Sequence, residues 1–283
     1  MPPRVLNGLI MSKSANGPRT ALVTGATDGL GYETARLLAA EDYHVIVHGP
    51  TTHHAEDAIE RLIKDGADPL RLHTAAADFA NFSQVATMAH MVSEANPRLD
   101  VLVNNAAIAG PERRETTEDG HELTWQVNYL APYLLTAMLE RQLGKALQSR
   151  VVNVSSSLHA RANLEPADLN ETRRYLRHAA YARSKLALTM FTKGLTLYGP
   201  TSLTAVSVHP GILDTALLST YGDTGRHASD GAHVVAQLCT QTKVINGGYY
   251  NERSMPARPA AVVENLGAVQ RLWRISASLT GMG

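Results

Sequence analysis

From Pro18 onward, short and almost wholly apolar runs alternate with longer segments whose apolar residues recur at helical spacing. ALVTG (21–25), HVIVH (44–48), LRLHTA (70–75), DVLVNNA (100–106), RVVNVSS (150–156) and LTAVSVHPG (203–211) read as strands, with GGYY (247–250) as a seventh. Helical patterns cover residues 29–41, about 54–65, about 82–95, about 119–147 and about 179–198. Gly66, Pro97 and Gly199-Pro200 stop three of them. A strand apolar at consecutive positions has to be covered on both faces. Its alternation with helices then requires right-handed crossovers and a parallel arrangement. The expected fold class is α/β, a single doubly wound parallel sheet of about seven strands with helices on both faces. No linker divides it. Residues 19–252 form the expected domain, after a disordered leader (1–18) and before a helical C-terminal extension (253–283) of the same domain.

Charge and cysteine content narrow the function classes. Lys and Arg number 26, and Asp and Glu also 26, so no basic surplus draws the chain to nucleic acid or to an anionic membrane. No apolar run approaches the ~18 residues that a membrane span requires. One cysteine, Cys239, excludes an internal disulfide framework and a Cys-rich metal site. The expectation is a cytoplasmic protein with no metal, whose partner is a small molecule.

Sheets of this kind bind ligands beyond the carboxyl ends of their strands, where the strand order reverses. The first strand ends in Thr24-Gly25-Ala26-Thr27-Asp28-Gly29-Leu30-Gly31. Gly25 permits a tight turn, Gly29 lets backbone approach a pyrophosphate, and Gly31 lets helix pack close to strand. The helix that follows offers its N-terminal N–H groups to the phosphates. Taken alone, the same glycines would serve an ordinary strand–turn–helix connection.

Thr24-Gly-x-x-x-Gly-x-Gly31, Asn104-Asn105-Ala106-Ala107, Ser156 and Tyr181-x-x-x-Lys185 follow one another in the order and spacing of the short-chain dehydrogenase/reductase family. The resemblance runs from about residue 19 to 252. Within the family, GHELTWQVNYLAPYLLT (120–136), RVVNVSSSLHA (150–160) and AYARSKLALTMFT (180–192) look most like the retinol-dehydrogenase-like branch and its bacterial relatives. The resemblance implies a Rossmann-type, NAD(P)-dependent enzyme acting on a carbonyl or alcohol. It also implies a homodimer or homotetramer built through the two long helices.

Tyr181 and Lys185 lie four apart on a helix and so share a face. A nearby ammonium favours the phenolate and lowers a tyrosine pKa toward the working pH of a general acid–base. Ser156 ends the fifth strand, where its hydroxyl can donate to an oxygen gaining charge. Strand alternation places Ser155 and Ser157 on the opposite face. By resemblance, Asn128 bends its helix and holds, on its backbone carbonyl, a water leading from Lys185 to solvent. The bland alternative is a solvent-facing helix Asn.

Other contacts to the cofactor come from the resemblance. Thr27, Asp28 and Leu30 belong to the phosphate loop, and Asn105 and Ala106 lie near the adenosine ribose. Asp78, with Phe79 beside it, receives the adenine amino group; read bare, Asp78 is an acid near a helix N-terminus. Pro210-Gly211-Ile212 and Thr215 reach the nicotinamide carboxamide, and Lys185 the nicotinamide ribose. After the second strand stands His48-Gly49-Pro50-Thr51, with no carboxylate to repel a 2′-phosphate, which favours NADP(H) over NAD(H). His48, Thr51, His53 and Arg36 are the candidates to hold that phosphate, although His53 and His54 also read as solvated loop histidines. Residues 213–230 suggest a substrate lid, and 157–178 a mixed-charge insertion. Residues 261–281 form an amphipathic helix over the cleft or against a neighbour. Epimerisation, dehydration or double-bond reduction on the same site, and a non-catalytic dinucleotide sensor, are the competing functions.

Overall fold

The computed structural model describes residues 18–164, 169–170, 174–219 and 224–283. The expected leader apart from Pro18, and parts of the expected insertion and lid, lie outside the described residues. The first half runs β1 (Thr20–Val23), α1 (Gly29–Ala40), β2 (His44–Gly49), α2 (Thr52–Lys64), β3 (Leu72–Ala76), α3 (Phe82–Ala95) and β4 (Val101–Asn104). The second half runs α4 (Leu123–Trp125), α5 (Ala131–Met138), α6 (Glu140–Lys145), β5 (Ser149–Val154), α7 (Arg177–Tyr198) and β6 (Leu203–Val208). It closes with α8 (Ala216–Ser219), α9 (Ala228–Thr240), β7 (Gly248–Tyr250), β8 (Pro256–Ala257) and α10 (Leu266–Leu279).

One sheet holds the strands in the order β3-β2-β1-β4-β5-β6-β7-β8. β1 to β7 pair in parallel and β8 adds an antiparallel edge. Alternate residues of each strand feed different cores. Ala21, Val23, Val45, Val47, Val101 and Val103 pack with residues of α1, α2 and α9. Leu22, Ile46, Leu102 and Val151 pack with α3, α5, α7 and α10. The continuous apolar strand pattern thus reflects two buried faces, as expected.

The long helical pattern of about 119–147 is not one regular helix. Between α4 and α5, residues Gln126–Leu130 form a π turn, with the Ala131 N–H bonded to the Gln126 carbonyl. The third strand starts at Leu72 because Pro69–Arg71 form a 3₁₀ turn capped by Asp68. Among the described residues, no helix is long and apolar enough to cross a membrane.

Candidate active site

β1 is flanked by β2 and β4, and the chain leaves β1 and β4 toward opposite ends of the sheet. That reversal opens a crevice at the carboxyl ends of the two strands. Thr24 stitches its floor. Its hydroxyl donates to the Val103 carbonyl (3.1 Å) and accepts from the N–H groups of Asn105 (2.9 Å) and Ala106 (3.0 Å). The Asn105 side chain donates to the carbonyls of Thr24 (2.8 Å) and Gly25 (3.1 Å), holding the loop down from the β4 side. Gly25 has φ +60°, and a Cβ there would stand 2.8 Å from the Ala106 Cα. Gly31 packs beneath, where a Cβ would collide with the Gly25 carbonyl.

His48 pins the same turn from the other side. Its Nδ1 accepts the Gly25 N–H (3.0 Å), so its Nε2 carries the proton and donates to the Ala77 carbonyl (3.1 Å). Burial pushes its pKa down to about 4. A neutral ring with both nitrogens engaged has no cation for a phosphate, which corrects that expectation for His48. Arg36 is paired with Glu33 (2.8 Å) and His53 with Asp57 (3.4 Å). Thr51 caps α2, its oxygen 2.7 Å from His54 Nδ1. The sequence reading missed Arg61. Its guanidinium lies 4.5 Å from the Tyr32 ring centre and donates to the Thr27 carbonyl beside the loop. No local pattern marks it, because α2 alone carries it back across the loop.

Tyr181 and Lys185 sit side by side on α7, both buried, with the Lys185 Nζ 5.6 Å from the centre of the Tyr181 ring. The Nζ donates to the carbonyl of Val154, the last residue of β5 (2.9 Å). Burial lowers the Lys185 pKa to about 7. Ser156 follows β5 and caps a short 3₁₀ turn, its Oγ accepting the Leu158 N–H (3.2 Å). Its one O–H thus remains to donate elsewhere. Ser155 is committed to α7, through the Lys185 carbonyl (3.1 Å) and the Thr189 hydroxyl (2.7 Å).

Asn128 lies within the π turn, fully buried. Its amide pairs with both backbone groups of Ile108 (2.8 and 2.9 Å) and donates to the Ser184 hydroxyl (3.1 Å). It ties the segment after β4 to α7 at the residue preceding Lys185. The solvent-facing alternative does not hold.

A cavity of about 780 Å³ runs from the loop after β1 to α7. Gly25, Thr27, Asp28, Gly29, Leu30, His48, Asp78, Phe79, Asn105 and Ala106 line one end and its floor. Ser156, Tyr181, Lys185, Pro210, Gly211 and Ile212 line the same cavity, and Thr215 lines it against Gly29. Gly31, Thr51 and Asn128 are not on its wall. Asp28 caps α1, accepting the Gly29 N–H (2.7 Å), and Asp78 accepts the Ala80 N–H (2.9 Å). Beyond Tyr181 the wall consists of Ile108, Leu123, Val127, Leu158, Leu213 and Leu217, with His178 one turn before Tyr181. Leu213 and Leu217 belong to the segment 213–230 expected as a lid; the others were missed in the sequence because they come from separate segments, none bearing a motif.

The comparisons with known proteins point one way. The family profile for short chain dehydrogenase matches residues 19–225. Retinol dehydrogenase 13 of Mus musculus is 32% identical, over 98% of this chain and 88% of its own length. Polyprenol dehydrogenase of Homo sapiens is 32% identical, over 93% of this chain and 86% of its own. Among solved structures, a protein from Mycobacterium paratuberculosis superposes with a TM-score of 0.75 at 29% identity, covering 93% of each chain.

Proposed function

The chain belongs to the short-chain dehydrogenase family, in its retinol-dehydrogenase-like branch, and is an NAD(P)-dependent oxidoreductase; from that premise we propose that it interconverts an apolar ketone or aldehyde and its alcohol, with NADP(H) preferred and Tyr181 as general acid/base. The observation that carries this reading is the single cavity that has the loop after β1 at one end and Tyr181, Lys185 and Ser156 at the other.

The crevice fits a dinucleotide. Gly25 leaves open the space that a side chain would fill against Ala106. Of the first N–H groups of α1, that of Gly29 is taken by the Asp28 carboxylate, and those that follow in the first turn have no acceptor within the helix. Asn105 and Thr24 hold the loop rigid. Gly25, Thr27, Gly29 and Leu30 would hold the pyrophosphate, Asp78 and Phe79 the adenine, and Pro210, Gly211, Ile212 and Thr215 the nicotinamide. Arg61 supplies a guanidinium beside Thr27 for a 2′-phosphate, and Pro50-Thr51 directly after β2 carry no carboxylate, although Asp57 and Glu60 lie near Arg61.

Hydride exchange with the substrate carbon is the chemistry that the nicotinamide supplies when bound. The protein's part is position and protons. In the reductive direction the Tyr181 hydroxyl gives its proton to the carbonyl oxygen as charge develops there. The Ser156 O–H, its acceptor side already occupied by Leu158, donates to the same oxygen. Lys185 in its ammonium form favours the resulting phenolate. Its lowered pKa lets it pass a proton near neutrality. Asn128 fixes the Ile108 backbone against α7, keeping Lys185 in register. By its resemblance to the family, the Asn128 backbone carbonyl would hold a water leading from Lys185 toward solvent. The wall beyond Tyr181 excludes water and favours an apolar body attached to the carbonyl.

Absorbance of the reduced nicotinamide, followed with a panel of apolar ketones and aldehydes, tests the proposal. NADPH is expected to be consumed with kcat/KM about tenfold or more above NADH, which corresponds to roughly 1.4 kcal/mol. A cofactor that binds but is turned over with no carbonyl or alcohol would favour the sensor instead.

A further inference from the structure

His159 lies outside the reaction proposed above, yet it is buried close to Ser156 with both ring nitrogens engaged. It is 1% exposed and sits in the 3₁₀ turn that Ser156 caps. Its Nε2 accepts the N–H of Ala260, a residue 101 positions away in the segment leading to α10 (3.1 Å). A neutral imidazole that accepts at one nitrogen carries its proton on the other. The Nδ1–H therefore donates to the Ser156 carbonyl, at 2.7 Å. That carbonyl also takes the His159 N–H, at 3.1 Å. The ring packs against Tyr249 of β7, with 4.6 Å between centres.

Three separate parts of the chain therefore meet on this ring. One end grips the backbone of Ser156, the other grips the C-terminal segment, and β7 supports its flat side. With the Ser156 Oγ fixed by the Leu158 N–H and its carbonyl by His159, that residue has little freedom left. We propose that His159 is a positioning residue for Ser156, its ring anchored secondarily by the C-terminal segment at Ala260. This rests on the reading of Ser156 as an oxygen-stabilising group.

The two bonds can be cut one at a time. His159→Asn keeps a donor near Nδ1 and loses the reach to Ala260. His159→Gln keeps an acceptor near Nε2 and loses the grip on Ser156. His159→Phe keeps the ring and loses both. Displacement of a reacting group by about 1 Å costs up to about 100-fold. Accordingly, kcat for carbonyl reduction should fall about tenfold or more in the Gln and Phe variants, with KM for NADPH within about twofold of the parent. The Asn variant should recover kcat to within about threefold. Amide hydrogen exchange at Ala260 should stay slow in the Gln variant and become fast in the Asn and Phe variants. Unchanged kcat in His159→Phe would overturn the inference, as would a Gln variant more active than Asn. Ser156→Ala, measured alongside, separates the two levels. If it keeps the parent kcat, the reading of Ser156 itself fails; if it loses kcat while His159→Phe does not, only the role of His159 fails.

Discussion

At His48, burial and two backbone partners decide what an ionisable residue is for. The sequence places it at the end of β2, where a cation would meet a 2′-phosphate, and nothing local contradicts that. The tertiary structure makes it a neutral hinge pin between Gly25 and Ala77. With a folded pKa of about 4 and an unfolded value near 6.5, the unfolded chain binds the extra proton between those limits. Its stabilising contribution is therefore complete above pH 6.5 and is lost as pH falls toward about 4. Between pH 7 and 4.5 the loss from this group is on the order of 2–3 kcal/mol. His48→Asn keeps an acceptor near Gly25 and cannot titrate. Denaturant unfolding at the two pH values should show that much less acid destabilisation in the variant; an identical pH slope would contradict the assignment. Tyr181, Lys185 and Ser156 were legible together, through the order of motifs that the family resemblance rests on, and strand end and helix spacing then bring them to one cavity. The protonation of His48 and the contact of Arg61 with Thr27 were not, because each depends on partners far away in sequence.

Helix α10 shows what periodicity can and cannot reveal. Its apolar stripe was readable, but where it docks was not. It lies on α7, placing Trp273 against Phe191 (5.7 Å between ring centres) and Tyr198 (4.8 Å). Ser276 Oγ meets the Tyr129 hydroxyl at 2.5 Å inside the core. The fit depends on the bare backbone at Gly194, where a Cβ would stand 2.7 Å from Trp273 Cε3. The rigid indole has to move, so Gly194→Ala should destabilise by about 1–3 kcal/mol despite its better helix propensity. Thermal unfolding checks this, and an equal or higher Tm would mean that α10 is not seated as described. The π turn at Gln126–Leu130 was foreshadowed only by the bend that the family resemblance places at Asn128, and periodicity did not mark it. One inserted residue shifts the helical phase only locally, and the surrounding stretch is buried on every side, its polar residues included.

Across the whole molecule, the parallel sheet and its crevice were legible because they follow from chirality and from burial on both faces of the sheet; the strand order and the antiparallel eighth strand were not read from the sequence. The substrate wall was not, because residues from Ile108 to Leu217 reach it only through the completed fold. In the proposed reading, its apolar character limits the substrate by class and leaves the reactive end to Tyr181. The account as a whole thus comes down to one proton. Turnover of NADPH with the best ketone, compared between the parent and Tyr181→Phe while NADPH binding is measured by calorimetry, addresses it directly. Removing the hydroxyl should leave the dissociation constant within about threefold and lower kcat by about 100-fold or more, the range expected for loss of a general acid. A Phe variant that reduces the ketone at the parent rate would place the proton donor elsewhere and contradict the assignment.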